Sequence, residues 1–309
     1  MEEDAELRRG TIYGFAAYGI WGLFPLYFHA LKPTGPWEVL AHRIVWTMVF
    51  CALILTIRKD WGWLRPTLAR RNLSLGLALA AVLIAANWII YVLAVMTGRT
   101  YEAALGYFLN PIVTVGLGVL VLNERLRPMQ WAAVGVGALA ALYLTVAGGV
   151  LPWISLSLAV TFALYGLVKK RVGASLTAMQ SLTSETLVLT PVAIIILVLL
   201  GSRGTLTIGG SGGVHTTLLL LAGVVTAIPM LFFAAAARRV PLVTIGLIQF
   251  MTPVLQLLCG VLLLGEHVSG RLWIGFGVVW IALVLLTIDS IRAGRRAGRQ
   301  RTDLQDPEP

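Results

Sequence analysis

Two ionisable residues lie deep within apolar segments of the sequence. Arg43 occurs in "AHRIVW" and Glu185 in "LTSETL", 142 residues later. A charge inside a membrane is expensive unless it is paired or reaches a wet cavity, and such residues commonly mark a transport path. We therefore expect an ion pair between Arg43 and Glu185. Two roles stay open: a permanent structural pair, or a switch in which protonation of Glu185 frees Arg43 for an anionic or zwitterionic substrate group and couples transport to protons.

A second candidate site combines aromatic rings with one amide. Asn87, Trp88 and Tyr91 fall within one helical turn, so that Asn87 and Tyr91 share a face. Small-molecule pockets are mostly apolar and aromatic, with few polar groups. This face could stack a flat ligand while Asn87 holds its polar edge, or it could simply pack against a neighbouring helix. The same set has three weaker members: Trp21, Tyr107 and Tyr165.

Two prolines interrupt apolar segments at equivalent positions, Pro111 in "YFLNPIVTVG" and Pro253 in "QFMTPVLQLL". Each removes a backbone donor and releases the carbonyl four residues earlier, on Tyr107 and Gln249. Paired helix breaks near the midplane are the best sequence indication of a transporter's binding site. Asn110 could bond the released backbone or a substrate. The alternative is a packing kink in which Asn110 bridges two helices.

These residues are embedded in an unusually apolar chain. Hydrophobic residues make up 58% of the sequence and charged residues 12%, with a mean hydropathy of +0.85. Soluble domains carry about a quarter charged residues, so the composition predicts an all-α integral membrane protein. Segments of about 20 apolar residues, each long enough to cross a bilayer, can be placed at 11–30, 37–57, 73–96, 101–122, 129–147, 151–168, 174–200, 215–236, 241–264 and 269–291.

The sequence contains an internal repeat. Residues 104–145 and 246–287 share 14 identities in 42 gap-free pairs at the constant offset of 142, which indicates a duplication. Five helices in each copy is an odd number, so equivalent helices cross the membrane in opposite directions. We therefore predict ten transmembrane helices arranged as two inverted five-helix repeats. Their expected bounds are 1–148 and 149–291, followed by a basic cytoplasmic tail at 292–309.

Glu124 and Glu266 occupy equivalent places where one apolar segment gives way to the next. Each carboxylate is expected at the positive N-terminal end of the following helix, the fifth or the tenth. Because the repeats are inverted, the two acids should lie on opposite sides of the membrane. They therefore do not form one catalytic site.

The basic residues predict the orientation of the chain. With the N-terminus in the cytoplasm, 19 of the 24 lysines and arginines fall on the cytoplasmic side. This bias is typical of membrane proteins and places both termini inside. The net charge of +10 is therefore interpreted as contact with anionic headgroups of membrane lipids, and nucleic acid is not an expected partner.

Several classes of chemistry find no support. The sequence has neither a Gly-x-x-x-x-Gly-Lys-Ser/Thr phosphate loop nor a His-Glu-x-x-His motif. Cys51 and Cys259 lie in separate apolar segments without a cluster of histidines, and we interpret them as packing residues. We assign no catalytic residue, no metal site and no cofactor.

Several segments resemble one transporter family. The "WGL" of the first helix, the "NP" helix ending in "LNERLRPMQW" and the later "LLGEHVSGRLWIGFGVVWIAL" are similar to EamA-type members of the drug/metabolite transporter superfamily. "HRIVW" and "ANWIIYVLAVMTGRTYEAALGYFLNP" resemble its RarD branch in particular. The resemblance covers essentially the whole membrane region. It implies a carrier of small metabolites or drugs in the bacterial inner membrane, usually working as an exporter.

The leading hypothesis is a secondary transporter that works by alternating access of the two repeats around a midplane cavity. Its substrate would be a small, amphipathic molecule, anionic or zwitterionic. Two other classes stay open: an intramembrane enzyme acting on a lipid-linked substrate, and a non-transporting sensor or assembly partner. The enzyme would need a nucleophile with a base, or a metal set, at membrane depth.

Overall fold

The structure is a computed structural model that describes residues 2–122, 128–148, 151–172, 176–237, 239–240 and 248–305. Every regular element within these ranges is helical. The helices are α1 (Glu2–Gly22), α2 (Phe24–Ala30), α3 (Pro36–Ile57), α4 (Leu64–Ala69), α5 (Arg71–Met96), α6 (Thr100–Leu122), α7 (Pro128–Gly148), α8 (Trp153–Val172), α9 (Ala178–Ser202), α10 (Gly213–Ala237), α11 (Met251–Leu258) and α12 (Gly270–Gln305). A π-helical turn at Cys259–Leu263 follows α11.

The lengths and compositions of these helices agree with a membrane protein. Five of them are long and apolar enough to cross a bilayer: α3, α5, α9, α10 and the first part of α12. Shorter apolar stretches occupy α7, α8 and the region of α11 with its π-turn. The all-helical class is therefore confirmed, whereas the count of ten crossings stays a prediction.

The first predicted crossing is divided into α1 and α2. Pro25 lies in the first turn of α2 and has no amide proton to donate to the carbonyl of Trp21. Gln256 of α11 donates to that carbonyl at 3.2 Å, and Thr252 donates to the carbonyl of Tyr18 at 2.7 Å. Side chains of α11 therefore supply hydrogen bonds where α1 ends.

The two prolines of the repeat have different settings. Pro111 lies inside α6, as predicted. Pro253 lies in the first turn of α11, where a helix has no use for its amide proton. The carbonyl of Gln249 accepts instead from the amide of Thr252 at 3.2 Å. In the described chain the interruption near Pro253 is thus a turn at residues 249 and 250, directly before α11. That this break lines a transport path stays a prediction.

Glu266 stabilises a helix other than the expected one. Its carboxylate accepts from the amides of Thr100 and Tyr101 at 2.8 and 2.9 Å and so caps the start of α6. The prediction that it would cap the tenth helix, α12, is therefore wrong. The physical reason is that the chain turns back toward α6 after the π-turn, which places the acid beside free amides of the other half. The equivalent Glu124 lies outside the described residues.

The two halves of the chain interleave. α5 packs against α8, and α1 packs against α10. α6 packs against α8, and α1 packs against α11. α3 packs against both α9 and α10, α5 also packs against α9, and α7 lies along α12. The largest contacts therefore join helices of the first half to helices of the second.

The crossing of α3 and α10 brings the two backbones into close approach. A Cβ atom placed on Gly223 would overlap the backbone carbonyl of Trp46. Backbone atoms cannot yield as the end of a flexible side chain can. The absence of a side chain at Gly223 therefore lets α10 approach α3 three residues before Thr226, which contacts Arg43.

We predict that Gly223→Ala lowers the thermal unfolding midpoint of the detergent-solubilised protein, because overpacking of this kind costs about 1–3 kcal/mol. Gly166→Ala is the matched control, since nothing lies within 4 Å of its Cβ position. It should leave the midpoint unchanged or raise it slightly, because alanine favours helix over glycine. Equal midpoints for the two variants would contradict the prediction.

Candidate functional site

Arg43 lies in the core of the bundle and is only 4% exposed. Its Nε donates to the hydroxyl of Thr226 on α10 at 2.9 Å. The guanidinium carbon lies 4.1 Å from the ring centroid of Trp88 and 5.4 Å from those of Phe24 and Phe28. Such cation–π contacts stabilise a desolvated cation. We call these five residues the arginine site.

Three tyrosines extend the arginine site. The phenols of Tyr27, Tyr91 and Tyr107 lie close enough to Arg43 to interact with its charge. The Tyr91 ring packs against those of Phe28 and Tyr107, both at 5.8 Å between centroids. The hydroxyl of Tyr27 donates to a backbone carbonyl of α10 at 2.6 Å. The buried hydroxyl of Tyr91, in contrast, has no hydrogen-bond partner among the described residues.

Asn87 is held by protein groups from two other helices. Its amide nitrogen donates to the carbonyl of Leu158 at 3.1 Å and to the hydroxyl of Thr161 at 3.0 Å, both on α8. Its oxygen accepts from the hydroxyl of Tyr107 on α6 at 3.1 Å. In this conformation Asn87 joins α5, α6 and α8, which is the interhelical packing role left open above.

A second charged cluster surrounds Glu185, which is 1% exposed. Lys169 of α8 donates to its carboxylate at 2.6 Å, and the hydroxyl of Tyr165 donates at 3.1 Å. Ser181, one turn earlier on α9, donates at 3.2 Å and also accepts from Lys169. We call these four residues the carboxylate cluster. In it a buried anion is matched by one cation and two hydroxyl donors.

The expected ion pair between Arg43 and Glu185 is wrong. Glu185 is paired with Lys169, while Arg43 contacts Thr226 and aromatic rings. Equivalent positions in a repeat determine how deep two residues lie, but not which way their side chains face around the helix axes. Lys169 reaches Glu185 from the end of α8 and occupies the place assigned to Arg43.

The described contacts of three other predicted residues involve groups other than Arg43. Trp21 packs between the rings of Tyr18 and Phe233, at 5.4 and 6.0 Å. Asn110 is partly buried and accepts a long 3.5 Å contact from Thr114 on its own helix. Gln249 is partly buried in the turn before α11. The structure therefore brings Arg43, Trp88, Tyr91 and Tyr107 together, and Trp21 packs against the same apolar cluster as Phe24, Phe28 and Tyr91. Asn110 and Gln249 have no described contact with Arg43. Their roles stay predictions.

The sequence interpretation missed several members of the two clusters. Phe24, Phe28 and Thr226 are ordinary residues of apolar helices, and nothing in their spacing distinguishes them. Lys169 had been counted only as a marker of the cytoplasmic side. Its cluster did leave a signal, because Tyr165 and Lys169, and likewise Ser181 and Glu185, are four residues apart and therefore share helix faces.

A polar network borders Arg43 toward the start of α3. The carboxylate of Glu38, 1% exposed, accepts from the amides of Thr207 and Ile208 at 2.9 and 3.2 Å. His42 lies 3.7 Å from the same carboxylate. Glu38 is therefore committed to the 203–212 connection and to His42. Among the described residues, no three histidine, cysteine or acidic side chains are grouped so as to hold a metal ion.

Two segments of the chain match one family of known proteins. A model of the EamA-like transporter family matches residues 8–146 and again residues 151–288. The chain belongs to the EamA-like transporter family. It is 47% identical to a RarD protein of Streptomyces exfoliatus over 99% of this chain and 96% of that protein. It is 40% identical to an uncharacterized transporter of Pseudomonas aeruginosa over 94% and 97% of the two chains.

Solved structures support the fold of this EamA-family chain. One crystal structure covers 90% of it with a TM-score of 0.58 and 16% sequence identity, and 97% of that other chain takes part. At this identity the likeness concerns the fold alone. The family match and the RarD relative identify a multi-pass bacterial membrane protein of the drug/metabolite transporter type, in the RarD branch. Family and relatives point to transport and away from catalysis.

The carboxylate cluster yields a stability prediction. Lys169→Met should lower the unfolding midpoint strongly, because it leaves Glu185 as a buried charge without a cation, a change that costs about 3–5 kcal/mol. Adding Glu185→Gln in the same chain should recover most of the loss. Lys59→Met, at an exposed site, is the control and should change little. A Lys169→Met variant as stable as the parent would show that the ion pair does not hold the cluster together.

Proposed function

We propose that this EamA-family protein is a secondary transporter that exports small metabolites or drugs by alternating access around a site near the membrane midplane. One observation carries the proposal: the polar contacts at and beside the arginine site run from one half of the chain to the other. Arg43 bonds Thr226, and Asn87 bonds Thr161. Any rocking of one half against the other must break these contacts, so the site is built where such a motion would act.

The same proposal includes ten helices in two inverted repeats, residues 1–148 and 149–291, and a cytoplasmic tail at 292–309. Exchange of packing partners supports it. If α1 corresponds to α8, α3 to α9, α5 to α10, α6 to α11 and α7 to α12, then the contact of α5 with α8 becomes that of α10 with α1. In the same way, the contact of α3 with α10 corresponds to that of α9 with α5, and the contact of α6 with α8 corresponds to that of α11 with α1. All four contacts are present in the structure. A two-fold relation between the halves predicts this pattern.

Two other functions compete with transport. An intramembrane enzyme acting on a lipid-linked substrate would need a reactive nucleophile or metal set, and a sensor or assembly partner would need no flux at all. The family description favours a transporter over both. A thermal-shift screen of small metabolites with the purified protein selects a compound, whose flux in proteoliposomes is then measured. Flux without chemical change supports transport, whereas product formation or binding without flux would reject it.

We further propose that Glu185 is the site of proton coupling, through Lys169 and not through Arg43. Protonation neutralises the carboxylate and abolishes its electrostatic attraction for the Lys169 ammonium group. Lys169 is 24% exposed as a side chain, and its flexible stem can carry the ammonium group toward water. A bound proton would thus release α8 from α9. Loss of the proton would join the two helices again.

The groups that face Glu185 favour this role. α8 contributes Tyr165 and Lys169, and α9 itself contributes Ser181. α3 turns uncharged groups toward α9, the Cys51 thiol beside Thr183 and the Met48 sulfur beside Thr186. The core shared by α9 with α5 and α10 is apolar. Among the described residues, Lys169 is thus the one cation paired with Glu185, so a proton on the carboxylate changes a single ion pair.

Glu185→Gln tests the coupling. The amide keeps the size of the side chain and one acceptor oxygen, but it is neutral and cannot exchange a proton. We expect substrate exchange between equal pools to persist, while uptake driven by a pH gradient falls at least tenfold. Glu102→Gln serves as the control, because Glu102 pairs with Arg99 within the first turn of α6. Proton-driven uptake that is unchanged in folded Glu185→Gln would refute the coupling role.

The orientation of the chain is tested separately. In a cysteine-free background, Arg65→Cys and Ser202→Cys introduce single thiols at two exposed positions, in α4 and at the end of α9. The charge distribution places the first in the cytoplasm and the second outside. A membrane-impermeant maleimide added to intact cells should label Ser202→Cys alone and should reach Arg65→Cys only after lysis. Labelling of both thiols in intact cells would reject the predicted topology.

A further inference from the structure

The charge of Arg43 has no counter-charge in the described part of the chain. The ionisable groups that act on it are phenols, which are neutral at physiological pH. The nearby acid of its own helix, Glu38, is bound to backbone amides, and Glu185 belongs to Lys169. A buried cation without an anion is unfavourable, and it is retained in membrane proteins where it serves a solute or ion path.

The guanidinium also has unused hydrogen-bonding capacity. Arginine carries five N–H donors in a planar fork, and the described residues accept from its Nε alone, through Thr226. The ring of Trp88 lies over one face of the group, and no described residue accepts a hydrogen bond from its two Nη nitrogens. A planar fork of this kind matches a carboxylate in two parallel hydrogen bonds.

A second donor without a partner lies in the same place. The Tyr91 hydroxyl is buried without a hydrogen-bond partner among the described residues, and its phenol is within electrostatic range of Arg43. Buried hydroxyls are normally hydrogen bonded, so an exception needs an explanation. An anion bound to Arg43 supplies an acceptor for it.

We infer that the arginine site binds the carboxylate of a flat, amphipathic organic anion. The inference rests on the proposed function and deepens it by naming the substrate class. We infer a flat ligand because the rings of Trp88, Phe24, Phe28 and Tyr91 surround the site. Aromatic rings prefer stacked or edge-to-face neighbours. Cations are excluded from this subsite, because they would meet Arg43 as a like charge.

The test compares three probes of one shape and different charge: 2-naphthoate, its neutral amide 2-naphthamide, and the cation 2-naphthylmethylammonium. Binding to the full-length protein in detergent is measured by calorimetry at constant ionic strength. We expect 2-naphthoate to bind at least tenfold more tightly than the amide, and the cation to give no measurable heat. Equal affinity for the three probes, or preference for the cation, would overturn the inference.

Variants separate the groups involved. Arg43→Gln should weaken 2-naphthoate at least tenfold without changing its amide. Arg43→Lys should restore only part of the affinity, because an ammonium group keeps the charge but not the fork. Tyr91→Phe should weaken the anion two- to fivefold. Arg58→Gln, at the exposed end of the same helix, should change nothing. Full affinity in folded Arg43→Gln would assign the anion to another place.

A structural role for Arg43 makes the opposite prediction for stability. If the Arg43 cation is paired only when a ligand is bound, Arg43→Gln should keep or raise the unfolding midpoint of the ligand-free protein, because it removes an uncompensated buried cation. If the guanidinium mainly anchors α3 to Thr226, the midpoint should fall and the inference is rejected. Should Arg43→Gln fail to fold, the ligand-binding role is likewise rejected in favour of the structural one.

Flux measurements keep this inference apart from the proposed function. Proteoliposomes are loaded with 2-naphthoate, and its release is followed with and without the protein. Binding that depends on Arg43 but brings no release supports the anion site and contradicts transport of this class. Alternatively, the protein transports other compounds and shows no Arg43-dependent binding of 2-naphthoate. That result supports the transporter function and overturns the anion site.

Discussion

Backbone groups that helices cannot satisfy by themselves determine how the two halves of the bundle are joined. In a bilayer each such group needs a partner from the protein, because no water is present in the hydrocarbon to replace it. Side chains from one half satisfy the backbone of the other at several helix ends, among them Gln256 at the carbonyl of Trp21, Glu266 at the amide of Thr100, and Glu38 at the amide of Thr207. Helix ends and breaks are therefore also the joints between the halves. A movement of one half against the other would therefore change the surroundings of the residues beside these helix ends.

The two deep charges of the bundle are stabilised in different ways, although they occupy equivalent positions in the repeat. Glu185 has a full set of partners, with a cation and two hydroxyl donors. Arg43 has one hydroxyl acceptor and a lining of rings. Cation–π contacts contribute about 2 kcal/mol when desolvated, less than a matched anion contributes in a site of low dielectric. The carboxylate cluster thus contains both charges of an ion pair, whereas the arginine site contains a cation and no described anion to pair with it.

The sequence predicted the class of fold and several members of the site, because composition and repeat spacing are directly readable. It located Arg43 and Glu185 as deep charges, and it placed Asn87, Trp88 and Tyr91 within one helical turn, of which the structure brings Trp88 and Tyr91 to Arg43. Pairing could not be read in the same way. Spacing along a helix gives the height of a residue, but its neighbours depend on the rotation of each helix and on which helices touch. Thr226 illustrates the limit, since only the close approach of α10 to α3 distinguishes it from other threonines.

Ring contacts connect the two charged clusters through the middle of the bundle. Tyr91 packs on Tyr107 at 5.8 Å, Tyr107 on Phe162 at 5.9 Å, and Phe162 on Tyr165 at 6.0 Å, and Tyr165 bonds Glu185. Each ring pair contributes about 0.5–1.5 kcal/mol beyond its buried area. A ligand that enters this series must separate some of these pairs. A flat aromatic body replaces the lost contacts with similar ones, whereas an aliphatic body of equal volume does not. If the inferred substrate passes along this series, the rings would favour flat molecules beyond the arginine site as well, and discrimination would not depend on Arg43 alone.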